Sequence, residues 1–244
     1  MIKALIFDLD GTLIQTEILK AQSYANAVNL LTKGIVPENK VIVGFKKYVG
    51  LSRNEVAKGL VDEFKSELNK NYPGLNLEEM QPLLLSKRLE IYGDMLEDPD
   101  ILTHYICTHN LDLLNSAYSD NYLTGLATMS YCTQAQRMLD VMKIKDKFKY
   151  VISREDVNNG KPDPEIYLKM KDKLNVQPEN CIVIEDSVTG IKAALSANMN
   201  VFAVTNSITR ESVYKANLLD DKFIIDNRAE LKAMVYDFIE EHKQ

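Results

Sequence analysis

The segment Met1-Ile-Lys-Ala-Leu-Ile-Phe-Asp-Leu-Asp-Gly-Thr12 carries the strongest indication of fold in this chain. Its apolar run from Leu5 to Phe7 carries no charge, and Asp8, Asp10 and Gly11 follow directly. This pattern predicts a short strand that is buried on both faces and ends in a carboxylate-rich turn. In an open α/β sheet, ligands bind beyond the carboxyl ends of the strands. The two acids therefore either lie in a solvated turn or meet a cation, a proton or hydrogen-bond donors, because desolvating bare carboxylates is costly.

The composition limits the classes of protein to which the chain can belong. Its 244 residues, 45% of them apolar, suffice for one large domain or one and a half, with a substantial core. A net charge of −6 and a pI near 5.2 argue against nucleic acid or an anionic membrane as the main partner. An anionic substrate would therefore need local hydrogen-bond donors or a metal ion.

The cysteines and the hydropathy pattern bear on the cellular compartment. The three cysteines have no CxxC spacing, so we expect a reducing compartment with neither a disulfide framework nor a zinc site. The three histidines show no metal-ligand spacing either. No apolar run approaches membrane-spanning length, and Asp8 interrupts any signal-peptide core at the N-terminus. We therefore expect a cytoplasmic protein that binds no membrane.

The order of the predicted elements divides the chain into two parts. Residues 15–96 have an almost wholly helical pattern, whereas short apolar strands alternate with helices from about residue 101 onward. Such alternation predicts a parallel sheet covered on both faces. We predict an α/β fold in which residues 1–14 and 97–244 form a Rossmann-like, doubly wound parallel sheet. The all-helical insert, residues 15–96, is predicted to be a separate cap domain.

Several local signals can be compared directly with the structure. A long helix is predicted from Leu77 to Met95, broken at Pro82, and another from Thr103 to Tyr118. Asn198 follows a predicted helix where a left-handed residue is expected, and asparagine tolerates that conformation better than most residues.

Three further segments carry polar groups at or just after predicted strands. They are Leu126-Ala-Thr128, Gly160-Lys-Pro-Asp-Pro164, and Ile182-Val-Ile-Glu-Asp-Ser187 followed by Gly190. Each has a structural explanation when taken alone: Thr128 as a cap or turn residue, Lys161 as an exposed loop lysine, and Glu185-Asp186 as acids at a helix N-terminus. An acid pair that ends a charge-free strand, in a chain that already contains Asp8-x-Asp10, favours a functional site instead.

In order and spacing these segments resemble the motifs of the haloacid dehalogenase-like superfamily. The resemblance is to its branch with an α-helical cap (subfamily I), which includes phosphoglycolate phosphatases and β-phosphoglucomutase-like phosphatases. Its members mostly transfer phosphoryl groups through an aspartyl-phosphate. The resemblance implies that Asp8 is the nucleophile and Asp10 the general acid/base. It also implies that Thr128 and Lys161 bind the transferring phosphoryl group, with Lys161 neutralising the charges of nucleophile and phosphate.

The same resemblance implies a bound Mg²⁺. Asp8, Asp186 and the backbone carbonyl of Asp10 would be its ligands, with Glu185 in or near the metal's water shell. Mg²⁺ prefers oxygen ligands in near-octahedral geometry and keeps several waters and a phosphate oxygen. Phosphoryl transfer mainly requires positioning and charge stabilisation, which such a group of residues supplies.

Within the helical insert, Gly50-Leu-Ser-Arg53 resembles the substrate-specificity loop of this branch. Arg53 would bind a second anionic group of the substrate with a bidentate geometry that lysine cannot reproduce. The alternative is that Ser52 and Glu55 form a helix-capping box and Arg53 points outward.

Asp10 and two departures from the family pattern bear on the reaction. An acid at position 10 implies phosphate-ester chemistry rather than dehalogenation or phosphonate cleavage. β-Phosphoglucomutase-like members usually carry a histidine where this chain has Lys20, and many members carry an acid at Gln15. We predict a Mg²⁺-dependent phosphatase for a small phosphorylated metabolite, such as a sugar phosphate or phosphoglycolate, acting as a monomer or weak homodimer. The alternatives are a β-phosphoglucomutase-like mutase and a non-catalytic binding protein that has kept the fold.

Overall fold

A computed structural model describes residues 1–48 and 51–243. The contacts divide the chain into two compact units. One is an α/β unit that contains Met1–Gln15 and the chain from Leu102 onward, and the other is a helical unit, Thr16–Ile101. The boundaries expected from the sequence, residues 15 and 96, differ from the observed limits of the helical unit by one and five residues.

The α/β unit is built on one six-stranded parallel sheet with the order β3-β2-β1-β4-β5-β6. With β1 in the middle, the chain winds first to one side and then to the other, which confirms the predicted doubly wound, Rossmann-like fold. The strands are β1 Ala4–Phe7, β2 Leu123–Ala127, β3 Tyr150–Ile152, β4 Cys181–Glu185, β5 Asn200–Val204 and β6 Ile224–Ile225.

The helical unit has its own hydrophobic core. Its helices are α1 Thr16–Leu31, α2 Glu38–Phe45, α3 Arg53–Glu63, α4 Lys65–Asn71 and α5 Leu77–Glu97, and α6 Pro99–Thr103 follows at its end. Tyr24, Leu60 and Leu84, from three different helices, are among the buried residues that pack together. This part of the chain therefore buries an apolar face of several helices, as amphipathic helices must.

The other helices belong to the α/β unit. They are α7 Thr108–Ser119, α8 Cys132–Met142, α9 Glu165–Leu174, α10 Val188–Ser196, α11 Arg210–Ala216 and α12 Leu231–Glu241. Buried side chains of α9 and α10 pack with those of β1 and β4 in one cluster that includes Ile6, Val183, Met170 and Ile191. Across the described residues, no helix combines the length and the apolarity that a membrane crossing requires.

The register of the central strands determines where the polar residues meet. Phe7 of β1 pairs with Leu126 of β2 on one side and with Ile184 of β4 on the other. The three strands therefore end level with one another, and the residues that follow them emerge at the same edge of the sheet. This edge is the place where open α/β sheets bind ligands.

The predicted helix break at Pro82 is wrong, because α5 is continuous from Leu77 to Glu97. A capping box between Asn76 and Glu79 begins the helix, and proline removes only one intrahelical hydrogen bond. A buried stripe at four-residue spacing keeps the helix packed on both sides of the proline: Met80, Leu84, Arg88, Tyr92 and Leu96.

The predicted helix from Thr103 to Tyr118 is also wrong in its first turn. Residues 104–107 are not helical, because Ile106 forms an antiparallel bridge with Ile14. The Gln15 amide donates to the Tyr105 carbonyl at 2.8 Å, and the Cys107 amide donates to the Leu13 carbonyl at 2.9 Å. Long-range backbone pairing thus replaces the helical bonds, and α7 begins only at Thr108.

Two smaller comparisons concern the last third of the chain. The helix α11, seven residues long between β5 and β6, was not among the predicted elements. The left-handed conformation predicted for Asn198 is confirmed, with φ at +57°.

Candidate active site

The turn after β1 brings the first two acids to the sheet edge. Asp8 is buried, and its amide donates to the Ile184 carbonyl at 3.0 Å, which continues the β1–β4 ladder. Gly11 has a φ of +83°, a conformation that favours glycine. A Cβ at Gly11 would lie 1.9 Å from Asp186 Oδ2, so the absent side chain lets the Asp186 carboxylate lie against the turn.

Lys161 reaches the same place from the loop before α9. Its Nζ donates to Asp8 Oδ1 at 2.7 Å, to Glu185 Oε1 at 2.5 Å and to the Ala127 carbonyl at 3.0 Å. An ammonium has three N–H donors, and these three acceptors use all of them. Only 4% of the Lys161 side chain is exposed, so its ammonium is buried at the edge of the sheet. The alternative, an exposed loop lysine, is therefore wrong.

The charges around Lys161 do not balance. Asp8, Glu185 and Asp186 face this single ammonium, so these four side chains carry a net charge of −2 when they are ionised. Burial raises the pKa of Asp8 to about 8; Lys161 opposes this rise, whereas Glu185 and Asp10 add to it. Burial disfavours a charged Lys161, but Asp8 and Glu185 hold the pKa of Lys161 well above its ordinary value.

The carboxylate of Asp10 is held by the polar residues that follow β2. Ser130 Oγ donates to Asp10 Oδ2 at 2.6 Å, and Thr128 Oγ1 donates to the same oxygen at 3.2 Å. The Ser130 amide donates to Thr128 Oγ1 at 3.0 Å, which orients the threonine hydroxyl. Thr128 thus lies beside the predicted acid/base residue, and its contact with a phosphoryl group stays a prediction.

Asp186 is oriented from the end of β5. Asn206 Nδ2 donates to Asp186 Oδ2 at 3.1 Å. The Asn206 Oδ1 atom accepts the amides of Ile208 at 2.8 Å and Thr209 at 2.9 Å, so the asparagine side chain is fixed at both ends. The structure therefore supports the Asp186 carboxylate with a rigid amide donor.

Three buried carboxylates are suited to a metal ion. Asp8, Glu185 and Asp186 each offer an oxygen, and these oxygens lie within 4.8 Å of one another. An oxygen-only set with a net negative charge suits a hard divalent cation such as Mg²⁺. The recess left by Gly11 is part of the same fit, since a larger residue would displace the Asp186 carboxylate.

Comparison with known proteins identifies the family. The model of the haloacid dehalogenase-like hydrolase family matches residues 5–204, a range that includes Asp8, Lys161 and Asp186 but ends just before Asn206. The chain belongs to the haloacid dehalogenase-like hydrolase family. The predicted family and the prediction of an enzyme of this class are therefore confirmed, and a non-catalytic binding protein is no longer the alternative to consider.

Relatives of this hydrolase include named phosphatases and a named mutase. A phosphorylated carbohydrates phosphatase of Thermotoga maritima is 28% identical over 84% of this chain and 87% of its own length. A phosphoglycolate phosphatase of Salmonella typhimurium is 27% identical over 80% of this chain and 78% of its own. The crystal structure of a β-phosphoglucomutase from Clostridium difficile is 31% identical, with a TM-score of 0.64 over 99% of this chain and 96% of that one.

The specificity loop of this hydrolase is described only in part. Gly50 lies outside the described residues. Ser52 and Glu55 form the expected capping box at the start of α3, and Arg53 is the exposed first residue of that helix. The backbone carbonyl of Arg53 accepts the Tyr24 hydroxyl at 3.3 Å. The capping box is thus present, and binding of a substrate by Arg53 stays a prediction.

The two departures from the family pattern have local contacts. Gln15 Nε2 donates to the Gly11 carbonyl at 2.7 Å and to Cys107 Sγ at 3.0 Å, so it braces the turn after β1. Lys20 forms an ion pair with Glu17 within α1. An acid at position 15 could not donate these two hydrogen bonds when ionised, so the glutamine is matched to this arrangement.

Sequence reasoning missed three residues of the site: Ser130, Tyr167 and Asn206. Each contacts a predicted site residue through a side-chain hydrogen bond, but no role was predicted for any of the three. Burial raises the pKa of Tyr167 well above its ordinary value, and Glu185 adds to the effect. A tyrosine in an amphipathic helix gives no sign in the sequence that its hydroxyl faces a carboxylate.

The loop that carries Lys161 is braced by Glu165. The carboxylate of Glu165 accepts the amides of Asn158 at 3.0 Å and Asn159 at 2.8 Å, and it pairs with Lys169 at 2.7 Å. These bonds lower the pKa of Glu165 to about 2. The bond from Lys169 has the largest effect, and the bonds from the two amides follow.

We expect Glu165→Gln to lower stability in a pH-dependent way. The folded pKa lies below the ordinary glutamate value of about 4.3, so the ionised form stabilises the folded state above that pH. This contribution is lost as pH falls from about 4.3 towards 2. Denaturant unfolding of both proteins between pH 7 and pH 2 should show a difference that is constant at high pH and shrinks with acid. A difference that persists unchanged at pH 2 would contradict the assignment.

Proposed function

We propose that this hydrolase is a Mg²⁺-dependent phosphatase that acts on a small phosphorylated metabolite through an aspartyl-phosphate at Asp8. The observation that carries the proposal is the buried Asp8–Lys161 pair, with a distance of 2.7 Å, beside the oxygen cluster that includes Asp186. A reactive carboxylate, an ammonium and a candidate cation site at one sheet edge are what transfer of an anionic group requires.

In the first step, an oxygen of Asp8 attacks the phosphorus atom of the substrate. The new bond joins Asp8 to phosphorus, and the bond between phosphorus and the ester oxygen breaks. Asp10, in its acid form, gives its proton to the departing oxygen, so the product leaves as an alcohol. The Ser130 and Thr128 hydroxyls orient Asp10 for this transfer. Lys161 offsets the negative charge shared by nucleophile and phosphate.

In the second step, water attacks the phosphorus atom and Asp10 takes a proton from it. The bond between Asp8 and phosphorus breaks, and inorganic phosphate and the original carboxylate are formed. Asp10 regains its proton in this step, so one turnover leaves both residues unchanged. Splitting the displacement into two steps is the advantage of a covalent nucleophile.

Asp8, Asp186 and the backbone carbonyl of Asp10 are the proposed ligands of Mg²⁺. When bound, the ion supplies positive charge next to the phosphoryl oxygens. Its charge of +2 would offset the net charge of −2 that the three acids of the oxygen cluster and Lys161 carry together when they are ionised. Glu185 is close enough to contribute to the same group of oxygens.

The relatives support a sugar phosphate or a phosphoglycolate-type substrate. The named activities of the relatives from Thermotoga maritima and Salmonella typhimurium concern small phosphorylated molecules of these kinds. In this proposal, the helical unit is the cap, and Arg53 binds a second anionic group of the substrate through its guanidinium. The net charge of −6 disfavours nucleic acid as a partner.

A β-phosphoglucomutase-like reaction is the second candidate. It is favoured by the 31% identity with a solved structure of that name, which extends over nearly the whole of both chains. Lys20 in place of the usual histidine argues against it. A mutase would transfer the phosphoryl group from Asp8 to a second hydroxyl of the sugar, whereas a phosphatase transfers it to water.

The deciding experiment is an assay of the purified full chain. With Mg²⁺ and p-nitrophenyl phosphate we expect release of inorganic phosphate, its loss on addition of a chelator, and its return with excess Mg²⁺. A panel of sugar phosphates and phosphoglycolate, followed by ³¹P NMR, then identifies the preferred class. Formation of an isomeric sugar phosphate without free phosphate would contradict the phosphatase proposal and support the mutase. No turnover of any compound would contradict both.

A further inference from the structure

The Glu185 carboxylate is fully occupied by protein donors. Its Oε1 atom accepts Lys161 Nζ at 2.5 Å and the Tyr167 hydroxyl at 2.9 Å. Its Oε2 atom accepts the Asp186 amide at 3.0 Å, the Ser187 amide at 3.2 Å and Ser187 Oγ at 3.1 Å. A carboxylate offers about four lone-pair positions, so these five contacts saturate it. In this arrangement Glu185 holds Lys161.

The shape of the protein around Glu185 supports the same orientation. Glu185 is 1% exposed, and a Cβ at Gly190 would lie 1.8 Å from its Oε1 atom. The carboxylate thus fits against the bare first turn of α10, and a larger residue at position 190 would displace it. The oxygen that carries the ion pair with Lys161 is therefore placed by packing as well as by hydrogen bonds.

Among the described residues, Tyr167 is the side-chain donor that Oε1 receives besides Lys161. The residue is fully buried in α9, where phenylalanine would fill the same apolar space, and its ring centroid lies 5.0 Å from Lys161 Nζ. Burying a hydroxyl is unfavourable unless it is hydrogen-bonded, and here its partner is Glu185. The hydroxyl thus contacts the group that holds the catalytic lysine while remaining outside the reacting atoms.

We propose that Tyr167 is a positioning residue, whose hydroxyl fixes Glu185 in the orientation that holds the Lys161 ammonium against Asp8. The inference rests on the proposed function, because it assigns Lys161 a role in turnover. It also gives Glu185 a part beyond its place in the candidate metal cluster, because this carboxylate anchors the lysine as well.

The test uses Tyr167→Phe in the full chain, with Tyr236→Phe as the matched control. Tyr236 also donates to a carboxylate, Asp120, but on the exposed surface and outside the site. For Tyr167→Phe we expect kcat for p-nitrophenyl phosphate to fall on the order of tenfold, the loss of one charge-assisted hydrogen bond. KM and the Mg²⁺ concentration for half-maximal rate should stay within about twofold of wild type, as should every parameter of the control.

A double-mutant cycle separates positioning from a merely structural role. If Tyr167 acts through Lys161, Tyr167→Phe should cause little further loss of kcat in a Lys161→Met background, less than about twofold. In ¹⁵N-edited NMR spectra, the Lys161 ammonium signal should be sharp in the wild type and broadened in Tyr167→Phe. Should Tyr167→Phe not fold, Glu185→Asp tests the same step, because it keeps the charge and withdraws the oxygens from Lys161.

Three outcomes would overturn the inference. One is a Tyr167→Phe protein with wild-type kcat and an unchanged Lys161 signal. Another is that Tyr167→Phe lowers kcat by the same factor in the wild-type and Lys161→Met backgrounds. The third is a large rise in the Mg²⁺ requirement with kcat restored at saturation, which would show that Tyr167 acts on metal binding instead of on Lys161. If the wild type releases no phosphate, the proposed function fails, and the NMR arm alone decides the role of Tyr167.

Discussion

An Asp8→Asn protein will fold like the wild type and release phosphate at least about 1,000-fold more slowly, because the amide cannot form the acyl-phosphate bond. The assay is the Mg²⁺-dependent hydrolysis of p-nitrophenyl phosphate. Asp172→Asn is the matched control, since Asp172 is an exposed residue of the same unit that pairs only with its neighbour Lys171 among the ion pairs described. We expect this control to keep the wild-type rate.

The stability of Asp8→Asn is expected to equal or exceed that of the wild type in the absence of Mg²⁺. Burial and the neighbouring carboxylates raise the pKa of Asp8, so the folded state disfavours its charged form. A neutral amide removes that penalty and leaves Lys161 paired with Glu185. Thermal unfolding without metal checks this result. An inactive protein that is also strongly destabilised would indicate that Asp8 has a structural role instead of a chemical one.

Lys161→Met is expected to lower kcat by on the order of 100- to 1,000-fold, because it removes the positive charge beside the reacting carboxylate. It also leaves Asp8 and Glu185 buried without their ammonium partner. Breaking a buried ion pair from one side destabilises proteins by about 3–5 kcal/mol. Steady-state kinetics and denaturant unfolding measure the two effects separately.

Although kcat and stability should fall in Lys161→Met, the affinity for Mg²⁺ should rise. Removing one positive charge makes the oxygen cluster more negative, so Mg²⁺ should bind more tightly and raise the melting temperature more than it does for the wild type. Lys232→Met, which removes an exposed ion pair with Asp112, is the control and should behave like the wild type in all three assays. Weaker Mg²⁺ binding in Lys161→Met would contradict the proposed arrangement of charges.

The fold and the grouping of the main polar residues could be predicted because their signals are local. The buried run before Asp8 and the charge-free strand before Asp186 each predict a strand that ends at a polar turn. Parallel strands in a doubly wound sheet then bring those turns to one edge, with Asp8 next to the end of β4. Lys161 could be predicted only through the resemblance, because no local pattern distinguishes it from an exposed loop lysine.

The missed features depend on tertiary contacts that leave no periodic signal. The Tyr167 hydroxyl and the Asn206 amide matter because of the carboxylates opposite them, 18 and 20 residues away in the sequence. Likewise, Pro82 predicts a helix break from its own chemistry, but the packing of the buried stripe along α5 outweighs one lost hydrogen bond. Local propensity is thus a weak guide wherever long-range packing or pairing supplies the larger free energy.

The aspartyl-phosphate at Asp8 can be tested directly by rapid-quench trapping of the phosphorylated enzyme. The wild-type protein is mixed with Mg²⁺ and a ³²P-labelled phosphate ester, quenched in acid within one turnover, and digested for mass spectrometry. We expect a label that hydroxylamine removes, on the peptide containing Asp8, and none in Asp8→Asn. Steady turnover with no label at any time, or a label on another residue, would contradict it.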